Sequence, residues 1–444
     1  MTELIMNLVR ENKYAEVKTY LMQMNVVDIA QFLEDLEVDQ MLVLFRLLPK
    51  EIAADVFAYM SYEQQEYIIE AITDSEISSI VNDLFLDDTV DLLEEMPSNI
   101  VKKILKNTNK ETRESINQLL KYPENSAGSL MTIEYVDLKK EMSVAQAIGH
   151  IKKTGLDKET INTCYVIDGN RKLEGIVSLR KLILHESEVL IKDMMNTKII
   201  AIDTGMDQEE IADLFKKYDL LAMPVVDKEN RLVGIITIDD IVDIIEQENT
   251  EDMQKMAAMQ PSEEEYLKTN VFTLAKHRVI WLLVLMISAT FTGNIIKQFE
   301  EVIQSVVVLA AFIPMLMDTG GNAGSQSATL VIRGIALNEI ELGDIFKVLW
   351  KEFRVSVIVG LILSVVNFLR IYFFEKTDLK ISITVCVSLF FTVVLAKIVG
   401  GVLPIIAKRL KLDPAIMASP LITTIVDAVA LFTYFTMASW MLGL

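Results

Sequence analysis

Two stretches of this 444-residue chain carry chemically useful groups inside otherwise apolar sequence. The first, Phe312–Arg333, reads FIPMLMDTGGNAGSQSATLVIR; it begins as a membrane-type run and turns small and polar after Asp318. Asn322, Gln326 and Thr329 recur at i, i+4 and i+7, which puts them on one helical face. A packing seam accounts for Gly320, Gly321 and Gly324, because small residues let helices approach closely. It accounts poorly for a whole polar stripe, so Pro314, Gly320, Gly321, Asn322 and Gln326 are read as lining a pore or binding site. A phosphate cradle is excluded, since no Gly-Lys-Ser/Thr follows Gly324. The second stretch, LDPAIMASPLITTIVDAVALFTYF, holds Asp427, the one acidic residue expected deep in an apolar segment. A carboxylate in hydrocarbon is costly and marks an ion or proton path. Pro420, Thr423, Asp427 and Tyr434 share a face, and Pro420 and Thr423 are read as pore lining beside Asp427; the bland alternative is an Asp tied to a neighbouring hydroxyl or protonated. Lys397 is a candidate salt-bridge partner, although Gly400, Gly401 and Pro404 place it toward the cytosolic side.

The elements that must position these groups show in the charge distribution. Residues 1–278 carry a net charge of -22 and residues 279–444 a net charge of +1, so a strongly acidic half precedes a nearly neutral one. An acidic surface of that kind repels nucleic acid and anionic lipid and attracts cations. Cys164 and Cys386 imply no disulfide framework, and His150, His185 and His277 are too scattered for a zinc site. The N-terminal MTELIMNLVRENK has no apolar core, so no signal peptide is expected. Five apolar segments, Val279–Phe299, Val302–Ile335, Val355–Phe374, Ile381–Ala407 and Pro414–Leu444, are each long enough to cross about 30 Å of hydrocarbon. Lys and Arg cluster on the flanks that face inward if the acidic half is cytoplasmic, which puts the C-terminus outside. Five spans enclose a pore poorly, so a homodimer in the bilayer is expected.

Residues 1 to about 125 read as helix throughout and repeat at an offset of 48, with Asp28-Ile29…Pro49…Ile52 recurring as Glu76-Ile77…Pro97…Ile100. Stacked helix pairs of this kind form a small superhelical domain. Between Met131 and Ile245 lies a second duplication: TCYVIDGNRKLEGIVSLRKLI (Thr163–Ile183) aligns with AMPVVDKENRLVGIITIDDIV (Ala222–Val242) at an offset of 59. Upstream, Met142-Ser143 matches Met206-Asp207 at an offset of 64, leaving five extra residues in the first copy. The duplicated pattern resembles a tandem pair of CBS domains, regulatory modules that often bind adenine nucleotides such as ATP. The family's ribose contact, a Ser/Thr three residues before an Asp, survives as Thr237…Asp240, whereas the first copy has Ser178…Lys181. A charged helix, DDIVDIIEQENTEDMQKMAAM, then provides the sole covalent link to the membrane half, with Asp240, Asp243 and Glu251 on one face.

Taken together, PMLMDTGGNAGSQSATLVIR, DPAIMASPLITTIVDAVALFTYF, the CBS pair and the leading helical repeat resemble the MgtE magnesium channel/transporter family over essentially the whole chain. The resemblance implies a multidomain fold: an all-α superhelical regulatory domain (1–130), an α/β tandem CBS pair (131–245), a connecting or plug helix and linker (246–275), and an α-helical pore domain with five transmembrane helices (276–444). It implies a homodimeric channel for Mg2+ uptake in the cell membrane, with Asp427 as the pore carboxylate. By position, Asp207, Glu209, Asp219, Asp240, Asp243, Glu248, Glu251, Asp252 and Asp413 belong to a Mg2+-sensing set, joined by Asp55, Asp87 and Asp91 in the repeat domain. Hard Mg2+ takes oxygen ligands and keeps its water, which suits such carboxylates. The alternatives are a broader Co2+/Mn2+ transporter and a membrane-anchored CBS nucleotide sensor. An enzyme is not expected, because Asp427 has no intramembrane His or Cys-His partner.

Overall fold

The computed structural model describes residues 2–443 except 12, 263–265, 268 and 418. Part of the expected linker and of the last span therefore lies outside the described residues. The chain divides into two compact units, Met1–Ile245 and Glu246–Leu444.

In the first unit, helices begin at Tyr14, Val26, Val38, Lys50, Tyr62, Asp74, Leu86, Ser98 and Lys110, a spacing of twelve residues that accounts for the 48-residue repeat as four helices. Local chemistry marks the starts. Asn25 and Asn109 accept N-terminal amides with their side chains, and Thr73 with Glu76 forms a reciprocal capping box. Short amphipathic helices of this length are unstable alone and depend on their buried faces. Ile29, Leu33, Val56, Ile77, Val90 and Ile104 supply those faces, each at most 1% exposed. The helix used below as α1 is Leu86–Glu95.

The duplication gives two three-stranded sheets of the same topology. β1 (Tyr135–Leu138) runs parallel to β2 (Thr160–Ile167), which pairs antiparallel with β3 (Leu173–Ser178). β4 (Ile202–Asp203), β5 (Ala222–Val226) and β6 (Leu232–Thr237) repeat the order. The matched glycines do the same work: a Cβ on Gly175 would meet Met195 Sδ at 2.6 Å, and one on Gly234 would meet Met131 Sδ at 2.6 Å. After β3 comes α2 (Leu179–Leu184); α3 (Gln208–Tyr218) precedes β5; α4 (Ile238–Met256) follows β6. The extra residues of the first copy fall in a 3-10 turn, Gly155–Asp157, and the start of β2. The helical domain shares one continuous core with the second copy, through Ile202, Ile211, Phe215, Met223 and Ile236. The first copy keeps a core of its own around Val136, Val166 and Leu182.

Among the described residues, the second unit contains five helices long and apolar enough to cross a membrane. They are built on α5 (Val271–Gln298), α6 (Ile313–Ala336), α7 (Ile345–Leu369), α8 (Leu379–Arg409) and α9 (Ser419–Leu442). α7 starts ten residues before the apolar segment expected at Val355, which brings Glu352 into the helix. Helices α6, α8 and α9 form the packed centre, with Leu316, Ala328, Val393, Ala396, Val426 and Tyr434 buried together. No residue of α5 is buried.

Candidate metal centres

The glycine-rich stretch of α6 serves two faces. Its glycines form the packing seam: a Cβ on Gly320 would meet Thr392 Cγ2 at 2.9 Å, and one on Gly321 would meet Thr423 Cγ2 at 2.9 Å. The opposite face is open. Pro314, Asp318, Asn322, Gln326, Thr329 and Arg333 are all exposed and recur at three- or four-residue steps, so one stripe of α6 is polar and uncovered within this chain. Thus Asn322, Gln326 and Pro314 lie on the open face, whereas Gly320 and Gly321 lie behind it.

On α9, Thr423 and Asp427 are half-buried, one turn apart. Asp427 Oδ1 is shielded from solvent and accepts no hydrogen bond among the described residues. Asp318 on the open face of α6 is within electrostatic reach of it. Tyr434 leaves the expected stripe: it is fully buried, and its hydroxyl donates to the Leu309 carbonyl at 2.9 Å. Lys397 is not the partner of Asp427. Its ammonium donates to Ser327 Oγ at 3.4 Å, because the α8 face that carries it packs on the back of α6.

In the first unit, carboxylates converge where α1 meets the CBS pair, Glu134 and Glu159 from its first copy and Asp240 from its second. One oxygen each from Asp87, Glu134 and Glu159 lies within 4.8 Å of the others. Phe85 offers no side-chain cap to α1, and Glu134 replaces it by accepting the Leu86 amide at 3.1 Å. Loss of solvent and then mutual repulsion push the group toward the protonated form. Burial and the neighbouring Asp239 raise Glu159 to about 8 and Asp240 to about 7. Asp91 is raised to about 7 by desolvation and then Asp240, and Asp88 to about 6 by desolvation and then Asp239, although both residues keep an exposed edge. Asp87, 8% exposed, is pushed well above the carboxylate range by burial and then by Asp240. A multivalent cation relieves this crowding without requiring protons. Glu134 and Glu159 escaped the sequence reading, since nothing in their local pattern distinguishes them from other surface acids.

The other expected sensing residues are spread out. Asp55 is exposed. Asp207 caps α3 by accepting the Glu209 amide at 3.0 Å, and Asp219 ends that helix in the left-handed region at φ 51°. Asp243 and Glu248 lie along α4. At the end of α4, Lys255 Nζ sits 2.7 Å from Asp413 Oδ2 and also pairs with Glu251. Burial works against the charge on Lys255, but its bonds to Asp413 and Glu251 outweigh it and hold the ammonium above the ordinary lysine range. Burial and then Asp413 raise the Asp252 carboxyl.

The nucleotide pair is otherwise engaged. The Thr237 hydroxyl donates to Asp240 Oδ2 at 3.1 Å and contacts Asp239, and Asp240 belongs to the acidic group just described. Such a field disfavours a bare triphosphate and favours one carried with a cation. The first copy instead has a surface pocket lined by Asn162, Ser178, Arg180, Ile183, Leu184 and Leu221, with no carboxylate among them.

A paired regulatory CBS module joined to five apolar helices, one bearing a half-buried carboxylate and another an open polar stripe, defines a divalent-cation transporter of the membrane. The comparisons agree. Residues 313–437 match the divalent cation transporter model of MgtE, residues 24–125 the MgtE intracellular N domain, and residues 127–188 and 191–247 the CBS domain. The magnesium transporter MgtE of Thermus thermophilus is 34% identical over 437 residues, 98% of this chain and 96% of the relative. That of Bacillus subtilis is 33% identical over 435 residues, again 98% of this chain and 96% of the relative. The crystal structure of the cytosolic domain of the Mg2+ channel MgtE in complex with ATP shares a TM-score of 0.53 at 32% identity, over 55% of this chain and 100% of that one. The chain belongs to the MgtE family of magnesium transporters, and its function is not enzymatic.

Proposed function

We propose that two copies of this chain form a Mg2+ channel whose path follows the open face of α6 past Asp427. The observation that carries this reading is the uncovered stripe Asp318, Asn322, Gln326 and Thr329 on a membrane-length helix. Polar groups of that kind face a bundle interior or water, so a second copy must cover them from lipid. Two facing Asp427 carboxylates contact the hydration shell of one ion, which suits Mg2+ because it dehydrates reluctantly. Binding through water is weak enough to permit release.

The acidic half lies in the cytosol, the C-terminus outside, and cytosolic Mg2+ closes the path. Asp87, Asp91 and Asp240 repel one another until a cation lies between them, and where α4 approaches the membrane helices Lys255 offsets only part of the charge of Glu251, Asp252 and Asp413, which Mg2+ completes. An ion that binds only the compact state shifts the equilibrium toward it. An adenine nucleotide such as ATP binds the CBS pair, with Thr237 and Asp240 at its ribose, a reading supported by the ATP complex of the related cytosolic domain.

Flux into proteoliposomes tests the path. Asp427→Asn keeps the shape, removes the charge and abolishes selective Mg2+ uptake, with Co2+, Mn2+ and Ca2+ as competitors. Wild-type rate and selectivity in that variant would refute the assignment.

A further inference from the structure

Behind the open face of α6 lies a buried charge pair that the transport reading does not use. Helix α8 crosses α6 and α7 at adjacent glycines. A Cβ on Gly400 would fall 2.1 Å from the Gly324 carbonyl oxygen, and one on Gly401 would fall 3.0 Å from Glu352 Cγ. One turn earlier on the same side of α8 is Lys397, 5% exposed. Its ammonium donates to Ser327 Oγ at 3.4 Å, and the Ser327 hydroxyl lies 2.6 Å from Glu352 Oε2. Ser327 is 1% exposed and Glu352 9% exposed. A hydroxyl has one proton to give and lone pairs to receive. The shorter contact takes that proton to Glu352, and the lone pairs face Lys397. Cation, hydroxyl and carboxylate thus form one directional chain across three helices.

The position of this chain matters because Ser327 follows Gln326 directly. Gln326 is on the open face and Ser327 on the packed one, so the ammonium of Lys397 sits about one helix diameter, ~10 Å, behind the polar stripe. A lone ammonium there, in surroundings of low dielectric, opposes any cation moving along the stripe, and opposes a divalent ion twice as strongly as a monovalent one. Packing alone does not call for a lysine at a site where an apolar side chain of similar length would fill the space.

We propose that Glu352, through Ser327, is the counter-charge that makes Lys397 electrically silent toward the cation path, so that these three residues set the height of the conduction barrier without touching the ion. This rests on the reading that the open face of α6 lines the path. Lys397 and Glu352 are positioning residues that act through the field behind the pore helix.

The test is a charge-swap cycle read as initial Mg2+ flux in proteoliposomes, with monodispersity and thermal unfolding checked for each variant. Glu352→Gln leaves the ammonium uncompensated and lowers flux by about tenfold or more. Lys397→Gln leaves a carboxylate and gives flux equal to or above wild type. The double variant Glu352→Gln/Lys397→Gln recovers to within about threefold of wild type, because the field is again neutral. Rescue by a second charge removal is an outcome that loss of packing does not produce. A double variant as impaired as Glu352→Gln, or a Lys397→Gln protein slowed as much as Glu352→Gln, overturns the proposal. Should Glu352→Gln fail to fold, Lys397→Gln and Ser327→Ala decide: the first keeps flux and the second lowers it, and the reverse order overturns it. Asp427→Asn in parallel separates this outcome from failure of the path itself, since a path elsewhere leaves Asp427→Asn active whatever the cycle shows.

Discussion

Lys255 is the most informative single target in the gating mechanism. It is the cation at the end of α4 that holds Asp413 at 2.7 Å and Glu251 beside it, with 23% of its own side chain and 30% of that of Asp413 exposed. Two unit charges about 4 Å apart at an effective dielectric constant of about 20 attract by roughly 4 kcal/mol before desolvation is subtracted. Partial exposure and the side-chain entropy of lysine leave about 1–2 kcal/mol for the network. Lys255→Met keeps the length of the side chain and removes that amount. The arrangement that ties α4 to Asp413 then has to be held by Mg2+ alone, against three carboxylates without a tethered cation. Because about 1.4 kcal/mol is a factor of ten, the concentration that half-inhibits flux rises by about 5- to 30-fold. The assay is Mg2+ inhibition of uptake in proteoliposomes with the cytosolic face accessible. A competing account has Lys255 as a placeholder that Mg2+ must displace. In that case the variant closes at lower Mg2+. A half-inhibiting concentration that is unchanged or lower therefore refutes the tie.

Further predictions follow from the acidic group and the helix crossings. Glu159, Asp240 and Asp91 have carboxyl pKa values raised to about 8, about 7 and about 7 in the packed first unit. The penalty is therefore absent below about pH 4, grows as pH rises, and is complete above about pH 8. With EDTA present, the thermal stability of the soluble unit should rise as pH falls from 8 to 6. Glu159→Gln should flatten that dependence, and scanning calorimetry reads both. Gly400→Ala places a Cβ 2.1 Å from the Gly324 carbonyl oxygen, where neither backbone can yield cheaply. It should destabilise the membrane unit by about 1–3 kcal/mol or more, seen as a lower unfolding temperature in detergent. Tyr434→Phe removes the donor to the buried Leu309 carbonyl. Its expected cost is about 1–3 kcal/mol in the same assay.

What the sequence by itself determined is what local periodicity and composition can carry. The 48-residue repeat is visible because every fourth helix of a twelve-residue spacing returns to the same environment, so the same residue types recur. The CBS duplication is visible because Gly175 and Gly234 meet the same kind of methionine contact and their strands share one register scheme. The five apolar helices are legible because hydrocarbon demands long runs of one character, and Asp427 stands out because nothing around it is charged. Tertiary structure decided which side each of these groups presents and to what. Gly320 and Asn322 are two residues apart, yet one packs against Thr392 and the other faces outward, since a helix turns 100° per residue. Lys397 pairs through Ser327 with Glu352, partners 70 and 45 positions away, so the crossing of three helices chose them over Asp427. Glu134 and Glu159 join Asp87 from separate loops, and Lys255 finds Asp413 across more than 150 residues. Charge acts through distance in space, and distance in space between remote residues exists only once the chain has folded.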